Sequence, residues 1–300
     1  MAETKKIRNV FEFLLLQTMA AAVRLLPYRL GMGLARLLSF LVFYVLRIRR
    51  AVTIENLCRA FPEKSPAECQ HLAWRVYRHF GRVAVDFIFL PRLIPRKFFR
   101  LVTVKNESVL KQAFEKGQGV VLNGPHLGNW EFMAAVAPLL GYPTRIIVGT
   151  QRNNLADRWI NRTRLLAGSK IIHVGGAVRK SLEALSRGEV VALLSDQDAG
   201  RDGLFVPFFG RKASASVGAA LLALKGNAPM VYAQTVWQNG QYVTEFVEIK
   251  TDDLHGPTPE NLYELTRRFT EWAEKQIRHF PEQWFWMHRR WKTRPSEEMP

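Results

Sequence analysis

The sequence predicts an α/β fold, a mixed and largely parallel central sheet flanked by helices, preceded by an N-terminal membrane-associating helical segment. Three observations carry this expectation. The chain opens on its most apolar, arginine-studded stretch, over residues 10–50. From about residue 101 the hydrophobic period switches to short apolar runs alternating with amphipathic segments, the pattern of strands and helices in one sheet. Two chemistry-bearing turns, with His126 in one and Asp196 and Asp198 in the other, fall at the carboxyl ends of strands, where ligands gather in such sheets.

The N-terminal segment, residues 1–50, poses a membrane question. Its longest uncharged run is Phe13–Val23, and a second, Leu37–Leu46, lies between Arg36 and the cluster Arg47, Arg49 and Arg50. No 18-residue window is free of charge. A spanning helix needs about 20 mostly apolar residues, and a central arginine costs roughly 2.5–3.5 kcal/mol on insertion scales. The expectation is two helices lying at, or dipping into, the interface. In one helix over 29–47, Arg29, Arg36 and Arg47 would form a narrow stripe, with Phe40 and Phe43 near it. The alternative is a buried helical hairpin. Lys5, Lys6, Arg8 and Arg47–Arg50 favour the cytoplasmic side.

Residues 51–300 form the second unit. Residues 51–100 read as a helical lead-in, with apolar positions recurring every three or four residues through CQHLAWRVYRHFGRVAVDFIFL and Pro91 and Pro95 expected to close it. The core follows over 101–300. GQGVVLNG is a buried strand and NWEFMAAVAPLLG a helix with Asn129 as N-cap and Gly141 as its stop. TRIIVGT, KIIHVG and EVVALLSDQD are strands, separated by the helices NLADRWINRTRLLAG and AVRKSLEALSRG. A Gly-rich loop leads to the helix SVGAALLALKG, the strands PMVYAQTVW and QYVTEFVEIK, and a last helix over 259–280.

Bulk properties narrow the partners. The chain of 300 residues is 48% hydrophobic, so it can build a large core. A formal charge of +17 favours anionic partners, whether nucleic acid, an acidic lipid surface or an acidic protein. Cys58 and Cys69 fit neither a disulfide framework nor a metal or redox motif, which suggests a reducing compartment. No cleavable signal peptide is expected. The chain carries no G-x-S-x-G elbow, Walker loop or G-x-G-x-x-G turn, so the nucleophile is expected to be a substrate hydroxyl.

His126 is the leading candidate for chemistry. A neutral imidazole at a sheet rim can take a proton from an alcohol, and a carboxylate can orient it. Two residues five apart on one helix would point about 140° apart, so His126 must lie in the loop and Glu131 in the first helical turn for the two to meet. The competing reading is a structural histidine. Asp196 and Asp198 could share a strand face as a metal pair, or simply cap a turn. Arg152, Arg158, Arg162, Arg164, Arg201 and Arg211 could bind phosphate or form a solvated face; Arg152, at a strand end, fits the second reading less well.

NGPHLGNWE resembles the H-x-x-x-x-D/E motif of the glycerolipid acyltransferase superfamily, and HLGNWE in full is similar to its lipid A branch. SDQDAGRDGLFVPFFGRKASASVGAALLA and PEQWFWMHRRWKTRP resemble that branch's second block and closing signature, so the likeness covers about residues 5–295. The resemblance implies a glycerol-phosphate acyltransferase-like fold and transfer of a fatty acyl chain from acyl–acyl carrier protein to a hydroxyl of a Kdo-bearing lipid A precursor. His126 would be the general base and Glu131 its holder. Arg164 and Asp196 fall on the branch's arginine and aspartate, and Asn129, Arg152 and Gln197 are placed by position as site-lining groups. No metal or cofactor is implied. The implied partners are the carrier protein, the glycolipid and the membrane, at the cytoplasmic face of a bacterial inner membrane. Acyl transfer to another glycolipid, such as a mannosylated phosphoinositide, from acyl-CoA is the near alternative. A non-catalytic basic protein is the distant one, with QWFWMHRRW stacking bases, though no nucleic-acid motif supports it.

Overall fold

Five helices precede the first strand in the computed structural model, which describes residues 2–94 and 97–295, with side chains from residue 6 onward. They are α1 (Ala2–Leu25), α2 (Tyr28–Phe40), α3 (Arg50–Ala60), α4 (Pro66–Leu93) and the short α5 (Phe98–Leu101). A π-helical turn over Leu41–Val45 extends α2. Pro27 separates α1 from α2, its fixed φ suiting a helix start. A capping box starts α4: Ser65 Oγ accepts from Glu68 N, and a Glu68 carboxylate oxygen accepts from Ser65 N at 2.8 Å. Pro91 was expected to end this helix but lies within it, because a proline in the last turn removes only one backbone bond. Pro95 and Lys5 bear on expectations that lie outside the described backbone and side chains respectively.

Strand and helix then alternate: β1 (Val102–Lys105), α6 (Glu107–Glu115), β2 (Val120–Gly124), α7 (Trp130–Leu139), β3 (Thr144–Val148), α8 (Asn154–Leu165), β4 (Lys170–His173), α9 (Ala177–Leu185) and β5 (Val190–Leu194). The hairpin β6 (Leu204–Phe208) and β7 (Arg211–Ala215) follows, then α10 (Gly218–Gly226), β8 (Met230–Gln238), β9 (Gln241–Ile249) and α11 (Pro259–His279). The main sheet has the order β1-β9-β8-β2-β5-β3-β4. Only β8 and β9 pair antiparallel in it, joined by a tight turn at Asn239–Gly240; the other pairs are parallel. The sheet is therefore mixed and largely parallel, as the alternation predicted. β1 escaped the sequence reading because four residues with two exposed carry little periodicity. The residues expected as a Gly-rich loop contain the β6–β7 hairpin, whose turn residues Phe209 and Gly210 both have positive φ, the requirement of a type I′ turn.

Alternation along β2 buries both sheet faces. Val120 and Leu122 pack with Phe132 and Val136 of α7 and Phe89 of α4, while Val121 packs with Ala219 and Ala223 of α10 and Phe269 of α11. Val23 and Ala35 share the first of these cores, so the apolar core runs across residue 50. A third core gathers Phe43, Leu57, Val76, Phe208, Trp284 and Trp286. Trp286 is fully buried, its ring 4.5 Å from that of Trp284, and its indole N–H donates to Pro281 O at 2.6 Å. Trp286→Ala is expected to cost roughly 3–5 kcal/mol, seen as a lowered midpoint in thermal unfolding of the solubilised chain.

The segment Tyr28–Val45 is long and apolar enough to cross a membrane by length and composition, and little of it is buried by protein. It holds Arg29 and Arg36, both exposed.

Candidate active site

Register brings the first two functional groups together. β2 and β5 are adjacent and parallel, with Gly124 opposite Leu194. Two residues beyond each strand end stand His126 and Asp196, side by side at the carboxyl rim. Asp196 Oδ1 accepts from His126 Nδ1 at 2.7 Å. Its Oδ2 accepts from the His126 backbone N–H at 2.8 Å and from Trp284 Nε1 at 2.6 Å. An ionised carboxylate only accepts, so Nδ1 carries a proton, and in the neutral imidazole this leaves the lone pair on Nε2. Burial opposes charge on Asp196, yet the His126 ring and the donors from Trp284 and the His126 backbone hold its carboxyl below the usual range.

The turn that carries His126 is clamped from three sides. Gly128 N donates to Gln283 O at 2.8 Å, and Phe285 N donates to His126 O at 3.1 Å. Asn129 N donates to Thr235 O at 2.7 Å. On α4, His79 Nε2 lies 3.1 Å from Gly128 O. Gly128 adopts φ +65°, and a Cβ there would strike the Thr235 carbonyl, so only glycine fits this close approach. Trp130 and Phe285 rings flank the imidazole at 5.1 and 6.4 Å between centroids.

The expected His126–Glu131 pair is not formed. Glu131 does lie in the first turn of α7, but its carboxylate is held by Arg164 of α8: Arg164 Nε donates to Oε2 at 2.8 Å and Nη2 to Oε1 at 2.5 Å. Trp130 Nε1 adds a third bond at 3.1 Å. The orienting partner of His126 is Asp196, because the strand register sets them level whereas Glu131 reaches toward the neighbouring helix. Burial disfavours the Arg164 charge, but Glu131 outweighs it and raises the Arg164 pKa. This bidentate pair is of the strong, geometrically specific kind.

Both units border one cavity of about 580 Å³. Its polar lining includes His126, Glu131, Arg164 and Gln197, and its apolar walls include Ile146, Val148, Val174, Val178, Leu194 and Leu222. A cavity of this size, apolar with a few converging polar groups, suits a lipid-like ligand. Asn129, expected to line the site, is instead fully buried: Oδ1 caps α7 by accepting from Phe132 N at 3.0 Å and Nδ2 donates to Asp86 at 3.4 Å. Arg152 is exposed on the loop after β3 and does not line the cavity. Asp198 turns to the tail, accepting from Thr293 N and Oγ1 at 3.2 and 2.9 Å, so it makes no pair with Asp196. The strand ends at Leu194, which removes the shared-face argument for these two aspartates.

Two contributors escaped the sequence reading. Trp284 looked like part of an aromatic tail, and only the chain's return beside β2 shows its indole on Asp196. Arg290 is almost wholly buried behind the pair, donating to Ser214 O; burial pulls its pKa down to about 10 against the favourable charges of Asp196 and Asp198.

Asp86 ties α4 to this floor. It accepts from Tyr28 Oη at 2.6 Å, from Tyr242 Oη at 2.5 Å and from Asn129 Nδ2. Burial pushes its carboxyl up to about 6, only partly offset by the two tyrosines. The folded chain therefore binds this proton more tightly than the unfolded chain does. Asp86 should lower stability progressively as pH rises from its ordinary value near 4 to about 6. Thermal unfolding across that window should show this slope, and Asp86→Asn should remove it.

The sequence matches the family model described as bacterial lipid A biosynthesis acyltransferase over residues 2–293. The Escherichia coli (strain K12) lipid A biosynthesis palmitoleoyltransferase is 28% identical over 280 residues, covering 91% of this chain and 88% of that protein. The lauroyltransferase of the same strain is 25% identical over 282 residues, covering 90% and 86%. A phosphatidylinositol mannoside acyltransferase of Mycobacterium tuberculosis (strain ATCC 25618 / H37Rv) is 26% identical over 250 residues, covering 81% and 77%.

Proposed function

The chain belongs to the bacterial lipid A biosynthesis acyltransferase family, and from that premise we propose that His126, oriented by Asp196, is the base that lets a lipid A precursor hydroxyl take an acyl chain from acyl–acyl carrier protein. It is an O-acyltransferase, and its family places the acyl transfer in lipid A biosynthesis. The observation that carries the mechanism is the His126 ring, fixed through Nδ1, bordering a mostly apolar cavity. Nε2 takes the hydroxyl proton as the oxygen attacks the thioester carbonyl. An ester bond forms, the C–S bond breaks, and the proton on His126 passes to the departing thiolate. Asp196 stabilises the imidazolium in between. Glu131 fixes Arg164, which keeps N–H donors beyond the two that Glu131 takes, for the polar end of a bound substrate. The +17 charge suits an acidic carrier protein. The apolar Tyr28–Val45 segment and its basic flanks suit attachment at the cytoplasmic face of the inner membrane.

Mass spectrometry of lipid A tests this. Cells lacking the chain should yield lipid A one acyl chain lighter; the wild-type gene should restore it and His126→Ala should not. An unchanged pattern would redirect the reaction to another acceptor. The likeness to a phosphatidylinositol mannoside acyltransferase favours a second glycolipid as that acceptor.

A further inference from the structure

Away from the cavity, a second concavity of about 250 Å³ lies between α2 and α4. Gly33 and Ala35 of α2 line it, next to a close crossing of the two helices. Gly81 of α4 meets Ala35 and Ser39 of α2 so closely that a Cβ would strike the Ala35 carbonyl and Ser39 Oγ. Ser39 Oγ lies 2.7 Å from Ala35 O and 2.9 Å from Tyr77 O, so its single proton is shared between carbonyls of α2 and α4. The rim is cationic: Arg36, Arg78 and Arg82 line it together. Arg78 and Arg82, four apart, share one face of α4, and Arg82 Cζ lies over the Trp237 ring, 3.9 Å from its centroid. Burial lowers the Arg78 pKa, and the charges of Arg36, Arg75 and Arg82 lower it further. Among the described residues neither Arg36 nor Arg78 pairs with a carboxylate. Arg75 reaches Glu282, and Asp86 is turned inward to its tyrosines.

Two features identify the ligand. Arg82 feels the charge of Asp86, but Arg36 and Arg78 converge beside it with no carboxylate of their own, and an anion with several acceptor oxygens relieves their repulsion through forked bonds. The groove also opens on α2, inside the segment apolar enough to cross a membrane, with Leu37, Phe40 and Leu41 exposed beside it. Residues 13–54 contain six arginines and no aspartate or glutamate. From these observations we infer that the Arg36–Arg78–Arg82 groove binds the phosphate headgroup of a membrane lipid, whose chains lie along the exposed face of α2. It is a lipid site separate from the His126 cavity, and it stands whether or not the acyl-transfer reading does.

Calorimetric titration of the detergent-solubilised full chain tests the inference by binding, not turnover. Dioctanoyl phosphatidic acid should bind at least tenfold more tightly than dioctanoylglycerol, which lacks the phosphate, or inorganic phosphate, which lacks the chains. Arg36→Gln with Arg78→Gln should weaken phosphatidic acid binding about tenfold without changing thermal unfolding. The charge-matched Arg162→Gln with Lys180→Gln, on α8 and α9, should leave it within twofold. Unchanged affinity in the groove variant, equal loss in the charge-matched variant, or inorganic phosphate binding as tightly as the lipid would each overturn the inference.

Discussion

His126→Ala is expected to lower kcat/KM for acyl transfer roughly 10²–10⁴-fold, with little change in stability. The ring is partly exposed at the cavity, touches Trp130 and Phe285 but belongs to none of the three hydrophobic cores, and the turn that holds it is fixed by backbone bonds from Gly128, Asn129 and Phe285. Those bonds survive the substitution, so the loss falls on proton transfer. A kcat-dominated fall is the expected form, because an unprotonated Nε2 matters in the transition state more than in the bound complex. Steady-state kinetics alongside thermal unfolding separates the two effects.

Asp196→Asn should cost about as much, on the order of 10³–10⁴-fold, although it keeps the shape of the side chain. The network dictates why. Oδ2 of Asp196 receives two N–H groups, from the His126 backbone and Trp284, so the asparagine oxygen must take that position. The new NH₂ then faces His126 Nδ1, the ring adopts the other tautomer, and Nε2 carries the proton it needs to be without. Flipping the amide would instead set NH₂ against two N–H groups. The variant should fold, and its residual rate should not recover across the neutral pH range.

The sheet and the catalytic turn were legible in the sequence for a physical reason. Parallel strands buried on both faces leave continuous apolar runs such as VVL of β2 and VVA of β5, and a glycine with positive φ leaves a visible break before Asn129. The identity of the partner for His126 was not legible in the same way. His126 and Asp196 are 70 residues apart, and only the pairing of Gly124 with Leu194 sets them level, whereas Glu131 is conspicuous because it is near in sequence. Asn129 shows a related ambiguity. Its N-cap role follows from local rules, and its burial beneath α4 does not. Trp284 and Arg290 became part of the site only through the return of the tail across β7 and the His126 turn, a tertiary event with no local signature. The N-terminal arginines are conspicuous in the sequence, but Arg47, with φ +51°, lies past the helical turns rather than on a stripe with Arg29 and Arg36, and the grouping of Arg36 with Arg78 and Arg82 depends on how Gly81 lets α2 and α4 approach.

Whether His126 works through Asp196 is tested most directly by a double-mutant cycle on acyl transfer, using His126→Ala, Asp196→Asn and the two combined. Groups that act as one unit are strongly non-additive. Asp196→Asn, severe alone, should add almost nothing once His126 is gone, while Glu131→Gln should still lower the remaining rate by disturbing Arg164. Losses that simply multiply for His126 and Asp196, with Glu131→Gln silent in the His126→Ala background, would contradict such coupling.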